Sequence, residues 1–529
     1  MTMVPTSDLE ERRIVLQRDL DTAKDQSERN RRGQFATPSA LAVDILRHAH
    51  THHRDAGVVR FIDPALGTGA FYSALLNVFP KCRIGGAIGY EIDAHYGTPA
   101  AKLWEHMGLD VQLRDFTLAD PPPEREKFDL VICNPPYVRH HHIVSSEKQR
   151  LRGRVWKACA VDINGLAGLY CYFIGLSHAW MAEEGLAGWL IPSEFMDVNY
   201  GASLKSYLLN RVTLLHIHRF DPTDVQFGDA LVSSAVVWFR KRSPSADHAV
   251  RFTYGGSLAQ PTVERLVTVE TLRREPKWTR YPLKDESKVV NAPVLSDFFT
   301  IKRGLATGDN RYFILPVEVI ERRRLPTAAF RPILPSPRYL PDDEVMANHD
   351  GHPLLDRRLF LLDCRLNEQR VREMSPTLWA YLEDGKAHGV HERYICRHRK
   401  PWYAQEDRPP APFVCTYLGR SDTKRGRPFR FILNNSLATA ANVYLMLYPK
   451  PVLARAMQKD SSLKRQVWRF LNDIHPESIL DEGRVYGGGL HKLEPKELGN
   501  VPVPGIAEVL PDEERAKRFL QAHLFEMRT

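Results

Sequence analysis

Between Val58 and Phe239 short apolar runs of strand length alternate with longer mixed segments. That alternation confines the region to an α/β design, a parallel sheet covered by helices. Strands are expected at "VVRFID", "IGGAIGYE", "LDVQL", "FDLVICN", "GLAGWLIP", "LLHIHRF" and "LVSSAVVWFR", giving a mostly parallel, seven-stranded sheet. Helices such as "GAFYSALLNVF", "AHYGTPAAKLWEHMG" and "GLYCYFIGLSHAWMAEEG" lie between them. No helix-length segment separates the last two strands, so they read as an antiparallel hairpin closing the sheet.

After Arg240 the alternation does not resume, and 529 residues are too many for one core. We expect a doubly wound domain over 1–245, with a helical N-terminal segment, and a second domain over 246–529, the boundary falling between 243 and 290. The second half mixes short β-like runs, prolines and basic-aromatic clusters, which reads as α+β.

Composition narrows the functional classes. No uninterrupted apolar stretch approaches the roughly 20 residues of a membrane helix, and the N-terminus, charged from Asp8 onward, lacks the apolar segment of a secretory signal. A cytoplasmic protein is expected. Seven cysteines without a Cys-x-x-Cys pair fit a reducing compartment, with neither disulfides nor a structural metal. The run His140 to His142 reads as a polar loop, because adjacent histidines cannot all reach one ion. A net charge of +9 suits a polyanionic partner.

The turn "FIDPALGTGAF" places Asp63 at a strand end, ahead of Gly67-Thr68-Gly69 and a helical pattern. Glycines there let the backbone approach a ligand at a helix N-terminus. The third glycine of a dinucleotide site is missing and Asp63 would repel phosphate, so a ligand with positive charge fits better. Glu91 ends the next strand, about the 20-residue step at which such folds hold a ribose diol. Asp115 and Phe116 follow the third strand, where an acid accepts from an adenine amino group and a ring packs on the base. A nucleoside with a cationic substituent and no phosphates is S-adenosylmethionine.

The strand "FDLVICN" then stops in Asn134-Pro135-Pro136-Tyr137. An exocyclic amine on a nucleobase is a poor nucleophile because its lone pair is delocalised into the ring. The Asn134 side-chain oxygen and the Pro135 carbonyl can accept from both amino protons and bias the nitrogen toward tetrahedral geometry, with the two prolines keeping the turn rigid. Tyr137 would stack on a base rotated out of its duplex. Direct displacement needs no metal and no covalent intermediate.

With these residues the chain resembles DNA adenine N6-methyltransferases of the γ arrangement, the type II restriction-modification and Eco57I-like methyltransferases. "GQFATP" (33–38) resembles the family's N-terminal motif, with Thr37 and Pro38 near the methionine part of the cofactor. "DPALGTGAF", including Ala65, resembles the cofactor loop, "GYEID", including Ile92, the ribose motif, "RDF" the adenine motif and "NPPY" the catalytic motif. "VQFGDALVSSAVVWF" resembles the segment whose aromatic residue, here Phe227, covers the other face of the flipped base. "FFTIKRGLATGDNRYFIL", "RYICRHRKPWYA" and "RVYGGGLHKLEPKELGNVPVP" resemble the recognition domains of such enzymes, more loosely.

The resemblance implies double-stranded DNA as partner, a separately encoded cognate endonuclease, and a monomer acting on one strand. For DNA contact, basic residues beside aromatics stand out: Arg397, Arg399 and Lys400 with Trp402, and Arg420, Lys424, Arg425 and Arg427. Cytosine N4 methylation, glutamine N5 methylation of proteins and RNA methylation remain alternatives, although cytosine enzymes usually carry Ser at the position of Asn134 and glutamine enzymes are much shorter. A noncatalytic DNA-binding subunit would not need Asn134, Tyr137, Asp63 and Glu91 intact. No nuclease domain precedes Gly33, so no cleavage activity is expected.

Overall fold

The computed structural model describes residues 6–53, 57–221, 233–245, 247–283, 292–420, 427–486 and 490–510. The chain divides into two compact units, residues 1–287 with 486–488 and residues 288–485 with 489–529.

The first unit is built on one sheet: β1 (Val59–Asp63), β2 (Ile84–Tyr90), β3 (Leu109–Gln112), β4 (Phe128–Cys133), β5 (Met181–Pro192), β6 (Thr213–Arg219), β7 (Ser234–Arg240), β8 (Ala249–Gly256) and β9 (Pro261–Thr268). Their order is β3-β2-β1-β4-β5-β7-β6-β8-β9. Among the described residues the sheet therefore has nine strands rather than seven, the last of them ending at Thr268. β7 is antiparallel to both β5 and β6, as a hairpin strand should be, but it does not close the sheet. β8 joins parallel to β6, and β9 covers β8 as an antiparallel edge. β9 buries only Val267 fully, so it lacks the apolar run of an inner strand.

Around the sheet lie α1 (Thr6–Thr22), α2 (Gln26–Arg32), α3 (Ser39–His52), α4 (Ala70–Val78), α5 (Ala94–Trp104), α6 (Ser145–Cys159), α7 (Leu169–Ser177) and α8 (Gly201–Asn210). Successive strand residues point to opposite faces, and β4 divides its side chains accordingly. Val131 and Cys133 pack with Leu151, Val155 and the buried face of α7. Leu130 and Ile132 pack with Leu46, Leu75 and Trp104. The helix expected to continue to Gly185 ends at Ser177. The Trp180 carbonyl there accepts from the Phe128 amide at 2.9 Å, and the chain has already entered the ladder with β4.

A histidine cluster sits where α3 meets β6 and β8. His216 Nδ1 lies 3.3 Å from His48 Nε2, and Thr253 Oγ1 lies 2.7 Å from His216 Nε2 and 2.8 Å from His218 Nδ1. Burial first, then a neighbouring histidine and Arg251, push His48 down to about 3 and His216 to about 2, and burial with Arg251 pushes His218 to about 4. An unfolded chain takes up protons at these sites near pH 6.5, whereas the folded chain resists until far lower pH. Their contribution is thus full above pH 6.5 and drains away as pH falls toward 4. Urea unfolding at pH 5 should show stability lower by about 2–4 kcal/mol than at pH 7.5, and replacing His216 with Asn should flatten that slope; an unchanged slope would show that other groups carry it.

The second unit holds a five-stranded sheet whose order is Phe299–Arg303, Tyr444–Pro449, Phe413–Thr416, Phe431–Asn434 and Glu344–Val345. Leu295, Phe299, Phe413, Phe431 and Leu445 form its core with Val467 and Leu471 of the helix Ser462–Asp473. Two three-stranded sheets and several helices are also found among the described residues of this half.

Candidate cofactor and amine-binding site

The loop after β1 is held by hydrogen bonds from the Leu66 amide to the Tyr90 carbonyl (2.8 Å) and from the Gly69 amide to the Leu66 carbonyl (2.9 Å). Gly67 and Gly69 have φ of 57° and 88°, values that side chains resist. A Cβ on Gly69 would stand 2.5 Å from the Trp104 indole nitrogen, which itself donates to the Thr68 carbonyl at 2.9 Å. A Cβ on Gly67 would meet nothing within 4 Å among the described residues. One glycine is thus required by packing, and the other opens the loop toward a cavity.

Helix α1 braces this loop, a part that no motif announced. Arg13, only 2% exposed, donates to Thr68 Oγ1 at 3.2 Å, and that hydroxyl donates to Gln17 Oε1 at 2.6 Å. On either side of α2, the Lys24 ammonium and the Gln34 amide both bind the Asp93 carboxylate at the start of α5. Burial raises Asp93, but these hydrogen bonds prevail and hold it near 2.

The cavity, of about 530 Å³, opens at the carboxyl ends of β1, β2, β3 and β4, where open α/β sheets bind ligands. Gly67, Glu91, Ile92 and Asp115 line it, with Ala65, Tyr90 and Phe116. Glu91 Oε2 accepts from the Gly67 amide at 2.9 Å and Oε1 from the Asp93 amide at 2.8 Å, leaving each oxygen a further lone pair. Burial raises the Glu91 carboxyl above its ordinary range, against those two amide bonds. Asp115 accepts from the Thr117 amide and hydroxyl, at 2.8 and 2.9 Å. The Phe116 ring is 3% exposed and packs edge-on to Tyr90 at 5.5 Å. Ile92 stands 70% exposed at the rim.

The Asn134-Pro135-Pro136-Tyr137 turn forms another wall, with Asn134 and Pro136 lining the cavity and Pro135 buried. The Asn134 amide nitrogen donates to the Phe35 carbonyl at 2.9 Å and to Thr37 Oγ1 at 3.1 Å. Its Oδ1 is buried and has no hydrogen-bond partner among the described residues. The Tyr137 amide donates to the Gly33 carbonyl at 3.1 Å, and the Tyr137 hydroxyl donates to the Leu190 carbonyl at 3.0 Å. Burial pushes that phenol well above its usual range. On the far side, the Leu169 amide donates to the Val138 carbonyl at 2.9 Å, bringing Leu169 and Phe173 of α7 to the cavity. These two were missed because an apolar helix of ordinary composition carries no motif.

Other expected site residues stand elsewhere. Asp63 is 1% exposed and lies off the cavity wall, its Oδ1 accepting from the Ala65 amide at 3.1 Å; burial, helped by Glu91, lifts it to about 7. It shapes the loop from behind the cavity wall, with the Cys133 thiol of β4 as a further hydrogen-bond partner. Gly69 is likewise set against Trp104 and away from the cavity wall. Thr37 and Pro38 line a neighbouring cavity of about 490 Å³ beside Arg13 and Gln17. Phe227 lies outside the described residues.

Of the residues proposed to meet DNA, Lys424 and Arg425 also lie outside the described residues. Trp402 is a correction: it is 8% exposed and packs against Tyr312, Phe313 and Tyr403, so it belongs to the core. Arg399 is another, since its guanidinium donates to the carbonyls of Ala306 (2.6 Å) and Thr307 (2.9 Å) and to Gln405. The Arg427 guanidinium binds the Asn472 carbonyl, though the residue is exposed. Arg397, Lys400 and Arg420 are exposed, Arg397 lying over the exposed Tyr394 ring at 5.2 Å.

The chain is similar to known proteins in both of its halves. Residues 97–226 match the family model of the Eco57I restriction-modification methylase, and residues 275–525 match that of the C-terminal domain of the type II methyltransferase M.Eco57I. The type II methyltransferase M.XamI of Xanthomonas campestris pv. amaranthicola is 29% identical over 501 residues, 90% of this chain and 86% of its own length. M.AccI of Acinetobacter calcoaceticus is 24% identical over 502 residues, 91% and 87% of the two chains. Among solved structures, the type IIL restriction-modification enzyme MmeI in complex with DNA has a similar fold, with a TM-score of 0.55 at 13% identity over 85% of this chain and 67% of that one. The DrdV-DNA complex gives 0.51 at 14% identity over 89% and 56%. In both halves, then, the chain is similar to the Eco57I-like restriction-modification methylases.

Proposed function

We propose that this chain transfers a methyl group from S-adenosylmethionine to the N6 amino group of an adenine rotated out of double-stranded DNA at one recognition sequence. One observation carries the reading: the Asn134 carboxamide is fixed through its nitrogen, so that a buried, partnerless oxygen is left as an acceptor at the cavity wall. A buried acceptor without a donor is costly, and a substrate amino group removes that cost.

S-adenosylmethionine is the methyl donor, and it brings an electrophilic methyl on a sulfonium. The cavity suits it: Gly67 leaves room against the backbone, Glu91 has lone pairs for a ribose diol, and Asp115 and Phe116 offer an acceptor and a ring to an adenine. Ala65 and Ile92 fill out the walls, and Thr37 and Pro38 flank the methionine end. Asp63 acts through the Ala65 amide. Glu91→Ala should weaken cofactor binding by about 10- to 100-fold. Calorimetric titration with S-adenosylhomocysteine checks this, and unchanged affinity would remove Glu91 from the ribose site.

On the substrate side, Asn134 Oδ1 and the Pro135 carbonyl accept from the two amino protons and draw the nitrogen lone pair out of conjugation, in a turn stiffened by Pro136. The Tyr137 ring, tethered through its hydroxyl, stacks on the extruded base, and Phe227 is its partner on the other face. The second unit reads the target sequence, with Arg397, Lys400, Arg420 and Arg427 contacting phosphates, alongside Lys424 and Arg425. A separate cognate endonuclease, a monomeric state and a cytoplasmic location complete the proposal; no helix among the described residues is long and apolar enough to cross a membrane.

Expression in a methylation-deficient bacterial host, followed by single-molecule sequencing of the host DNA, tests the site-specific claim. N6-methyladenine at one recurring sequence is expected, absent when Asn134 is replaced by Ala. N4-methylcytosine at that sequence would keep the amine chemistry and overturn the base, and unmodified DNA would overturn the substrate.

A further inference from the structure

A carboxamide presents an oxygen and a nitrogen of almost equal size, so a free Asn134 would turn either one to the cavity. Only the oxygen can accept from a substrate amine. The choice is made by the segment between α2 and α3. The Phe35 carbonyl, 2.9 Å from Asn134 Nδ2, can only accept, so rotating the amide by half a turn would set two oxygens against each other. Thr37 Oγ1, at 3.1 Å from the same nitrogen, supplies a second acceptor and thereby takes both amide protons out of circulation.

Thr37 is only 8% exposed and begins the turn into α3, so its hydroxyl is held in place. The Gly33 carbonyl, which receives the Tyr137 amide at 3.1 Å, ties the same segment to the other end of the turn. We propose that Thr37 is a positioning residue for the methyl transfer, its hydroxyl oxygen orienting the Asn134 carboxamide so that Oδ1 faces the substrate amine. This rests on the role given to Asn134 above and adds to the expected place of Thr37 beside the cofactor. It also makes the N-terminal segment part of the catalytic apparatus.

The test is Thr37→Val, which keeps shape and removes the acceptor, beside Thr37→Ser, which keeps the oxygen, each also made in the Asn134→Ala background. Single-turnover methylation of unmethylated bacterial genomic DNA, S-adenosylhomocysteine affinity by calorimetry and melting temperature are measured on all. With Asn134 intact, Thr37→Val should lower the rate constant by about 10- to 50-fold, with S-adenosylhomocysteine affinity within about twofold, and Thr37→Ser should recover most of the rate. In the Asn134→Ala background the Val substitution should cost less than about twofold, since nothing is left to orient. Loss of S-adenosylhomocysteine affinity with an unchanged rate, or an equal loss in both backgrounds, would overturn the role of Thr37. A full rate in Asn134→Ala alone would overturn the reading of Asn134 itself. If Thr37→Val fails to fold, an Asn134→Ser pair, whose hydroxyl has no amide to orient, replaces it: Thr37→Ser in that background must then be silent, and any loss beyond twofold counts against the proposal.

Discussion

Asn134→Ala should bind S-adenosylhomocysteine as tightly as the unaltered protein and lose turnover by about a hundred- to a thousandfold, the loss seen when one preorganised electrostatic partner of a developing charge is removed. The carboxamide's hydrogen bonds run to Phe35 and Thr37 rather than to Glu91 or Asp115, so the cofactor walls stay intact. What goes is the buried acceptor that gains most as the amine nitrogen acquires positive character. The substitution also frees the Phe35 carbonyl and the Thr37 hydroxyl of a donor. A modest change in melting temperature is therefore expected, far smaller in effect than the kinetic loss. Single-turnover rates and calorimetric affinities separate the two quantities; a fall in affinity with turnover per bound cofactor preserved would refute the assigned role.

Gly33→Ala should damage the catalytic turn and the stability of the first unit together. Gly33 ends α2 in the left-handed region, φ 65°, and a Cβ there would lie 2.2 Å from the Tyr137 amide nitrogen and 2.6 Å from its carbonyl carbon. Neither atom belongs to a flexible side chain, so relief requires moving the catalytic turn or the end of α2. The left-handed backbone alone costs about 1–2 kcal/mol for an ordinary residue, and the collision adds to that. We expect activity to fall by more than about 100-fold and the melting temperature to drop by several degrees, measured by methyl transfer and by thermal unfolding. Activity and melting point both close to those of the unaltered protein would show that the turn can yield, and that the contact between Gly33 and Tyr137 is not what sets it.

The parts of this site that were legible in the sequence are those in which a residue type is forced by backbone chemistry. Gly67 and Gly69 read as a turn because few other residues tolerate their φ, and Asn134 to Tyr137 reads as a stiff, polar strand end because two prolines admit little else. The reason for each glycine was not legible, since Trp104, which excludes a side chain at Gly69, lies 35 residues downstream. Asp63 reads like Glu91 in one dimension, both being acids that end strands. Only the fold shows that one lines the cavity and the other props the Ala65 amide.

The tether of Asn134 was beyond sequence reasoning for a different reason. Half of it is the Phe35 backbone carbonyl, which any residue would supply. In the second half, interleaved basic and aromatic residues arise equally from a DNA-facing surface and from an ordinary core with cationic rims. Trp402 packed against Phe313 and Arg399 donating to the Ala306 carbonyl belong to the second kind. β9 went unread because an edge strand with one solvated face shows alternation too weak to separate from loop, and β8, paired between β6 and β9, because only half of its residues are buried.

The central claim is that the fixed acceptor at Asn134 receives an exocyclic amine of adenine, and it is met most directly by identifying the product. Purified protein incubated with methyl-labelled S-adenosylmethionine and unmethylated bacterial DNA, digested to nucleosides and resolved by mass spectrometry, should place the label in N6-methyldeoxyadenosine. Label in 5-methyldeoxycytidine, whose methyl sits on carbon and requires a covalent route, would contradict the account.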